Sequence, residues 1–135
     1  MNREIKYRGL TSNGNWVYGN LIQGKNGTCY ICSINENPVY KNGDYWYIDS
    51  PCYVVIPETV GQFTGLKDQN GEEVYEGDVL ELNNCGLLIV CFYKGEFKLQ
   101  KLAEYHKKRN LYASISYLEF SVLRGNIYEN PNLLQ

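Results

Sequence analysis

The sequence predicts a mainly β protein, built of short antiparallel strands and hairpins around a barrel-like or sandwich core, with at most one short helix. Three observations predict this. Asn-Gly pairs recur at Asn13-Gly14, Asn26-Gly27, Asn42-Gly43 and Asn70-Gly71 between strand-like stretches, and Asn-Gly supplies the positive φ angles of tight hairpin turns. Tyrosine is the compositional outlier, with 13 copies beside 13 glycines, and it favours pleated, half-buried surfaces. The apolar runs are short and evenly spaced, as in β barrels and sandwiches.

REIKYRG, residues 3 to 9, alternates Ile5 and Tyr7 with Lys6 and Arg8, the period-two pattern of a strand with one wet face. After the turn in SNGN, Trp16, Tyr18 and Leu21 carry its hairpin partner. GKNGTCYICSI repeats this grammar and leads into a strand from Cys29 to Ile34, and YKNGDYWYI supplies a further hairpin. Pro38, Pro51 and Pro57 bracket the segments between, and YVVIP is a short strand ending where proline removes a ladder donor.

QFTGLKD runs into the Asn70-Gly71 turn and EEVYEGDVLEL leaves it, with Gly77 allowing a corner before Val79, Leu80 and Leu82 enter the next strand. CGLLIVCFY, from Cys85 to Tyr93, is the most apolar run and the expected central strand, buried on both faces. KGEF then turns the chain into FKLQKL. LAEYHKKR, Leu102 to Arg109, is the one stretch with good helix formers, placing Leu102, Tyr105 and Arg109 on one side; a charged loop is the alternative. YLEFSVLRGNIYENPNLL closes the chain as one or two strands, broken at Gly125 and stopped at Pro131, ahead of an apolar tail. A chain of 135 residues suits a single domain, 1–135, with two β subdomains at about 1–56 and 57–135 as its subdivision.

Thirteen Lys+Arg against 15 Asp+Glu give a net charge of -2, so no concentrated basic face draws the chain to phosphate polymers and a nucleic acid polymer is not the expected partner. WVYGNLI is too short and polar to span a bilayer, and MNREIKYRG lacks the apolar core of a signal peptide. The expectation is a cytoplasmic protein with no membrane partner. Five cysteines, an odd number, fit a reducing compartment in which most are buried thiols.

Residues 68–78 hold Asp68, Glu72, Glu73, Glu76 and Asp78. They do not follow the alternating ligand pattern of a Ca²⁺ loop, and acids beside turns commonly tie down backbone N–H groups. Cys29 and Cys32 form a C-x-x-C, but an odd spacing on a strand sends the thiols to opposite faces, and no second pair completes a zinc site. His106, the one histidine, lies in a charged stretch with nothing marking a nucleophile beside it. No glycine-rich phosphate loop precedes a helix. The sequence therefore offers no catalytic residue, metal ligand or cofactor. What remains is a basic and aromatic cluster: Lys101, Tyr105, Lys107, Lys108 and Arg109, followed by Tyr112, Tyr117 and Arg124. A solvated face is the plain reading, and an anionic ligand stacked on tyrosine with its phosphate on Lys or Arg is the functional one.

REIKYRG at 3 to 9, WVYGNL at 16 to 21, IPETVGQFTGLKDQNGEEVYEGDVLEL at 56 to 82 and GNIYENPNLL at 125 to 134 together resemble the YopX family of phage and prophage proteins. The resemblance covers nearly the whole chain and departs in the loops around SINENPVYKNGDYWYIDS and KLAEYHKKRNLYAS. It implies a mostly β fold, a homo-oligomer and expression from a mobile element, and it transfers no catalytic residue. In its long central motif Gly61, Gly65, Gly71 and Gly77 read as turn formers.

Two functional classes follow, a non-enzymatic binder and an enzyme, and the lack of a catalytic constellation favours the binder. The leading expectation is a homo-oligomeric phage accessory protein that sequesters a host-derived small ligand, in its sharpest form a nucleotide second messenger of antiphage defence. The alternative is a phage protein that modulates host functions by engaging a host protein or nucleic acid through a strand edge or the basic loop.

Overall fold

The computed structural model describes residues 4–33, 39–48, 50–130 and 132, without the side chains of residues 39, 40 and 45–48. Ile34, Pro38, Pro131 and most of the apolar tail lie outside the described residues. The chain divides into two compact units, Glu4–Gln62 and Phe63–Gln135. No helix among the described residues is long and apolar enough to cross a membrane.

In the first unit β1 (Tyr7–Leu10), β2 (Trp16–Gln23), β3 (Cys29–Cys32) and β6 (Cys52–Val55) pair antiparallel in the order β6-β3-β2-β1. Between β3 and β6, β4 (Val39–Asn42) and β5 (Tyr45–Ile48) form a separate hairpin. The glycines of all four Asn-Gly turns in the chain have positive φ, from 63° to 87°. Leu21 lies opposite Ile31, and Cys29 opposite Val55, so one face of the sheet collects the core of Cys29, Ile31 and Val55 with Tyr7, Val17, Leu21 and Val60. A 3-10 turn, Pro57–Thr59, follows β6. The Thr59 hydroxyl accepts the Leu10 N–H at 2.9 Å and donates to the Ile56 carbonyl at 2.6 Å, fastening that turn to β1.

Two expectations are corrected in this unit. Arg8 is buried at 5% exposure, not on a wet face. Its guanidinium lies 4.7 Å above the Trp16 ring, a diagonal neighbour across the β1–β2 ladder, and the aromatic face takes the place of water. The cysteines are not mostly buried thiols. Cys32 and Cys52 are opposed in the β3–β6 register with Cα atoms 4.0 Å apart and form a disulfide; directly opposed residues of an antiparallel pair are the ones close enough to bond. Of the free thiols Cys29 is buried, Cys91 half-buried and Cys85 exposed.

The second unit is built on β9 (Asp78–Leu82), β10 (Gly86–Tyr93), β11 (Glu96–Lys101), β12 (Ala113–Ser114) and β13 (Ser121–Asn126), an antiparallel sheet in the order β12-β11-β10-β9-β13. β10 is central as expected, and Leu88, Ile89 and Val90 are consecutively buried. β7 (Gly61–Lys67) and β8 (Glu73–Tyr75) form the motif hairpin, whose Val74 joins Leu80, Leu88, Val90, Leu99 and Leu118 in one core. The packing is sandwich-like; the sheet ends on β12 and β13 and does not close into a barrel.

One α-helix is described, α1 (Leu102–His106), shorter than the stretch to Arg109 because Lys108 turns into the left-handed region at φ 55°. YLEF is not strand but part of a 3-10 turn, Ile115–Phe120. Leu118 anchors that turn in the core, and the Ser114 side chain accepts the Ser116 N–H at its start. Gly61 is no turn former: it sits in β7 opposite Arg8.

Candidate functional site

Two acids of the cluster, Asp68 and Asp78, are occupied by the backbone. Asp68, buried at 5% exposure, accepts the N–H groups of Asn70 at 2.9 Å and Glu72 at 2.8 Å on Oδ1, and that of Leu123 at 2.8 Å on Oδ2. Asp78, buried at 2%, accepts the Tyr75 N–H at 2.8 Å and closes the corner between β8 and β9. Both carboxylates satisfy backbone donors, those of Asn70 and Glu72 around the motif turn and those of Tyr75 in β8 and Leu123 in β13. Among the described residues no three His, Cys, Asp or Glu side chains are grouped to hold a metal ion. Glu76 acts on a thiol instead: burial first, and then its charge, push Cys91 up to about 11.

A cavity lies where the core of the second unit runs out. Along β11 Lys101 has the parity of the buried Leu99 and stands opposite Leu88, but at the end of the strand its side chain is exposed. Beside it is an apolar pocket of about 220 Å³, lined by Leu82, Cys85, Leu88, Ala113 and Tyr117. A second pocket of about 320 Å³ is lined by Lys101, Glu104, Leu111, Tyr112 and Ala113. The two pockets share Lys101 and Ala113, so the ammonium-bearing side chain stands between them.

Their walls are held from behind. The Tyr112 ring stacks on Tyr93, centroids 4.4 Å apart and planes 20° from parallel. Gln100 Nε2 donates to the Arg109 carbonyl, tying the segment after α1 back to β11. Arg109 Nη1 lies 3.7 Å from Glu104 Oε2, an ion-pair distance too long for a hydrogen bond. Glu104 Oε2 is shut off from solvent and receives no hydrogen bond among the described residues.

Of the eight residues singled out in the sequence, Lys101, Tyr112 and Tyr117 line these pockets, and Arg109 reaches one of them through Glu104. Tyr105 meets His106 edge-on, and Lys107 and Lys108 are exposed; none of the three lines either pocket. Arg124 belongs elsewhere. Its Nε and Nη2 contact Glu81 Oε1 at 2.9 and 2.7 Å beside a polar cleft of about 360 Å³ lined by Gln69, Asn83 and Phe120. Sequence reasoning missed Glu104, Leu111, Leu82 and Cys85. The signal available was the parity of Lys101 in FKLQKL, which it shares with the buried Leu99 while remaining exposed itself.

Fold and pockets together define a small antiparallel β protein of two units, whose second sheet ends in a lysine-centred groove. Residues 6–135 match the YopX protein family, and the chain belongs to it; the family suggests a phage-type protein. The crystal structure of protein EF1440 from Enterococcus faecalis is similar in fold, with a TM-score of 0.63 and 21% identity over 98% of this chain and 99% of that one. No protein with a curated description matches.

Proposed function

We propose that the protein is a non-enzymatic phage accessory protein that, as a homo-oligomer, binds and sequesters a small host-derived ligand, in its sharpest form a nucleotide second messenger of antiphage defence. One observation carries this reading: Lys101 stands between two small pockets, each with a tyrosine in its wall. A flat base seats against an aromatic side chain, an ammonium group neutralises a phosphate, and apolar walls exclude water around both. Two base-sized recesses on either side of one cation suit a ligand whose flat groups are bridged by an anion. Asp68 and Asp78 of the central motif are spent on backbone N–H groups, which supports binding without turnover. A stoichiometric sponge then needs abundance and slow release.

Native mass spectrometry of the protein purified from infected cells tests this. The expected spectrum shows a homo-oligomer carrying a nucleotide-sized adduct that K101A loses. An adduct-free monomer would overturn the reading. Retention of a host protein, or of a polyanion lost steeply with salt, would favour the partner-binding alternative.

A further inference from the structure

We infer that the free edge of β6 is a self-association site, at which the strand pairs antiparallel with β6 of a second copy of this chain. The inference rests on the homo-oligomer of the reading above and names its contact. The phase of the β3–β6 ladder decides which groups are free. The Ser33 N–H donates to the Pro51 carbonyl at 3.0 Å, and bonded and non-bonded pairs alternate along an antiparallel ladder. Ile31 with Tyr53 and Cys29 with Val55 therefore exchange bonds within the sheet, whereas the disulfide pair Cys32–Cys52 and the pair Tyr30 with Val54 do not. The backbone N–H and C=O groups of Cys52 and Val54 point outward, and none of them is hydrogen-bonded among the described residues. The next outward donor, that of Ile56, is taken by the Leu10 carbonyl at 2.8 Å, so the open stretch stops there.

Natural sheets blunt such edges with a charged side chain, a bulge or a proline within the strand. β6 reads CYVV, with Pro51 before it and Pro57 beyond it but neither inside. Cys52, Tyr53 and Val54 are exposed, Val54 at 59%. Beside them lies a cleft of about 420 Å³, lined also by Thr11, Ser12, Asn13 and Asn15, which opens the edge to solvent and presents no charged side chain. A second copy thus meets no like-charge repulsion here, and an antiparallel strand is complementary to itself about a two-fold axis. With the axis at Tyr53, Cys52 of each copy lies opposite Val54 of the other, and these pairs exchange the hydrogen bonds that the single chain leaves unmade. The two Tyr53 residues then face each other as a non-bonded pair, where cross-strand side chains lie closest. Because the contact is isologous, it uses the edge of both copies and closes. Edge and cleft wall make roughly ten residues a side, against about 20–30 in a standard interface, so the contact is a weak, reversible one.

Sedimentation velocity of the full-length protein across micromolar concentrations, on wild type and V54P, is the test. Proline at position 54 removes an outward donor and no bond of the β3–β6 ladder, so it strikes the contact and spares the sheet. The expected result is reversible association of wild type, weakened at least about tenfold in V54P, with an unchanged unfolding temperature. Residue-resolved amide exchange of wild type needs no variant and decides the matter if V54P is less stable: the Val54 N–H should be protected at associating concentrations and exchange freely on dilution. If a fully folded V54P associates as wild type does, or if the Val54 N–H exchanges freely in the associated protein, the inference is overturned while the homo-oligomer reading stands. If wild type stays monomeric throughout, both fall.

Discussion

Asp68 Oδ2 accepts the backbone N–H of Leu123 at 2.8 Å, joining the motif turn to the last strand of the sheet across 55 residues. The same side chain holds Asn70 and Glu72 through Oδ1, so one buried carboxylate satisfies three backbone donors. D68A leaves all three without it and is expected to cost about 3 kcal/mol of stability. D68N, which keeps one acceptor oxygen, should cost less. Urea unfolding of the two variants beside wild type checks the order and the size.

The strands were legible because each Asn-Gly pair and each alternating run acts locally. CGLLIVCFY is central for the reason its composition suggests, and Gly125 marks the register shift in β13. What was not legible depends on register between strands. Nothing along the chain tells that Cys32 faces Cys52, or that Arg8 reaches Trp16. YLEF alternates well enough for a strand, but Leu118 is drawn into the core and its neighbours wind into a 3-10 turn. The candidate site was half visible: Lys101, Tyr112 and Tyr117 stood out by type. Glu104 looked like one more charge in a charged stretch, and the fold sets it in a pocket wall beside Arg109.

Gly19 is fixed by close approach. A Cβ there would lie 2.3 Å from the Cys32 carbonyl oxygen, and that oxygen is backbone and cannot swing aside. G19A should lower stability by about 2 kcal/mol or more, whereas G14A, whose Cβ meets nothing within 4 Å, pays only for its positive φ of 85°. Denaturation midpoints of the two variants make the comparison.

The cysteines predict a thiol count and a pH dependence. Unfolded without reductant, the protein should release three thiols, those of Cys29, Cys85 and Cys91; in the folded protein the exposed Cys85 should alkylate first. Cys91 keeps its proton up to about 11 when folded, against 9.0 ordinarily. Between those values the unfolded chain gives up a proton that the folded one retains, so stability is full below pH 9 and falls as pH rises toward 11. Urea midpoints across that window should show the fall, with a shallower slope in C91A.

The basic turn and the groove separate by mutation. Lys107 and Lys108 line neither pocket, while Lys101 lines both. K107A/K108A should leave the affinity for a cyclic dinucleotide within about twofold, and K101A should lower it about tenfold, the size of one charge-assisted contact. Titration at a single fixed ionic strength measures both, since salt screens all three exposed lysines.

The most direct measurement follows the ligand and not the protein. Cyclic di-GMP and cyclic di-AMP are each incubated with an equal concentration of protein sites, the free concentration is read, the protein is then denatured by heat, and the released nucleotide is analysed. The account predicts depletion of at least one of them to the stoichiometric limit and full recovery of unaltered ligand. A free concentration that falls for neither, or a product that accumulates beyond one equivalent per site, would contradict it.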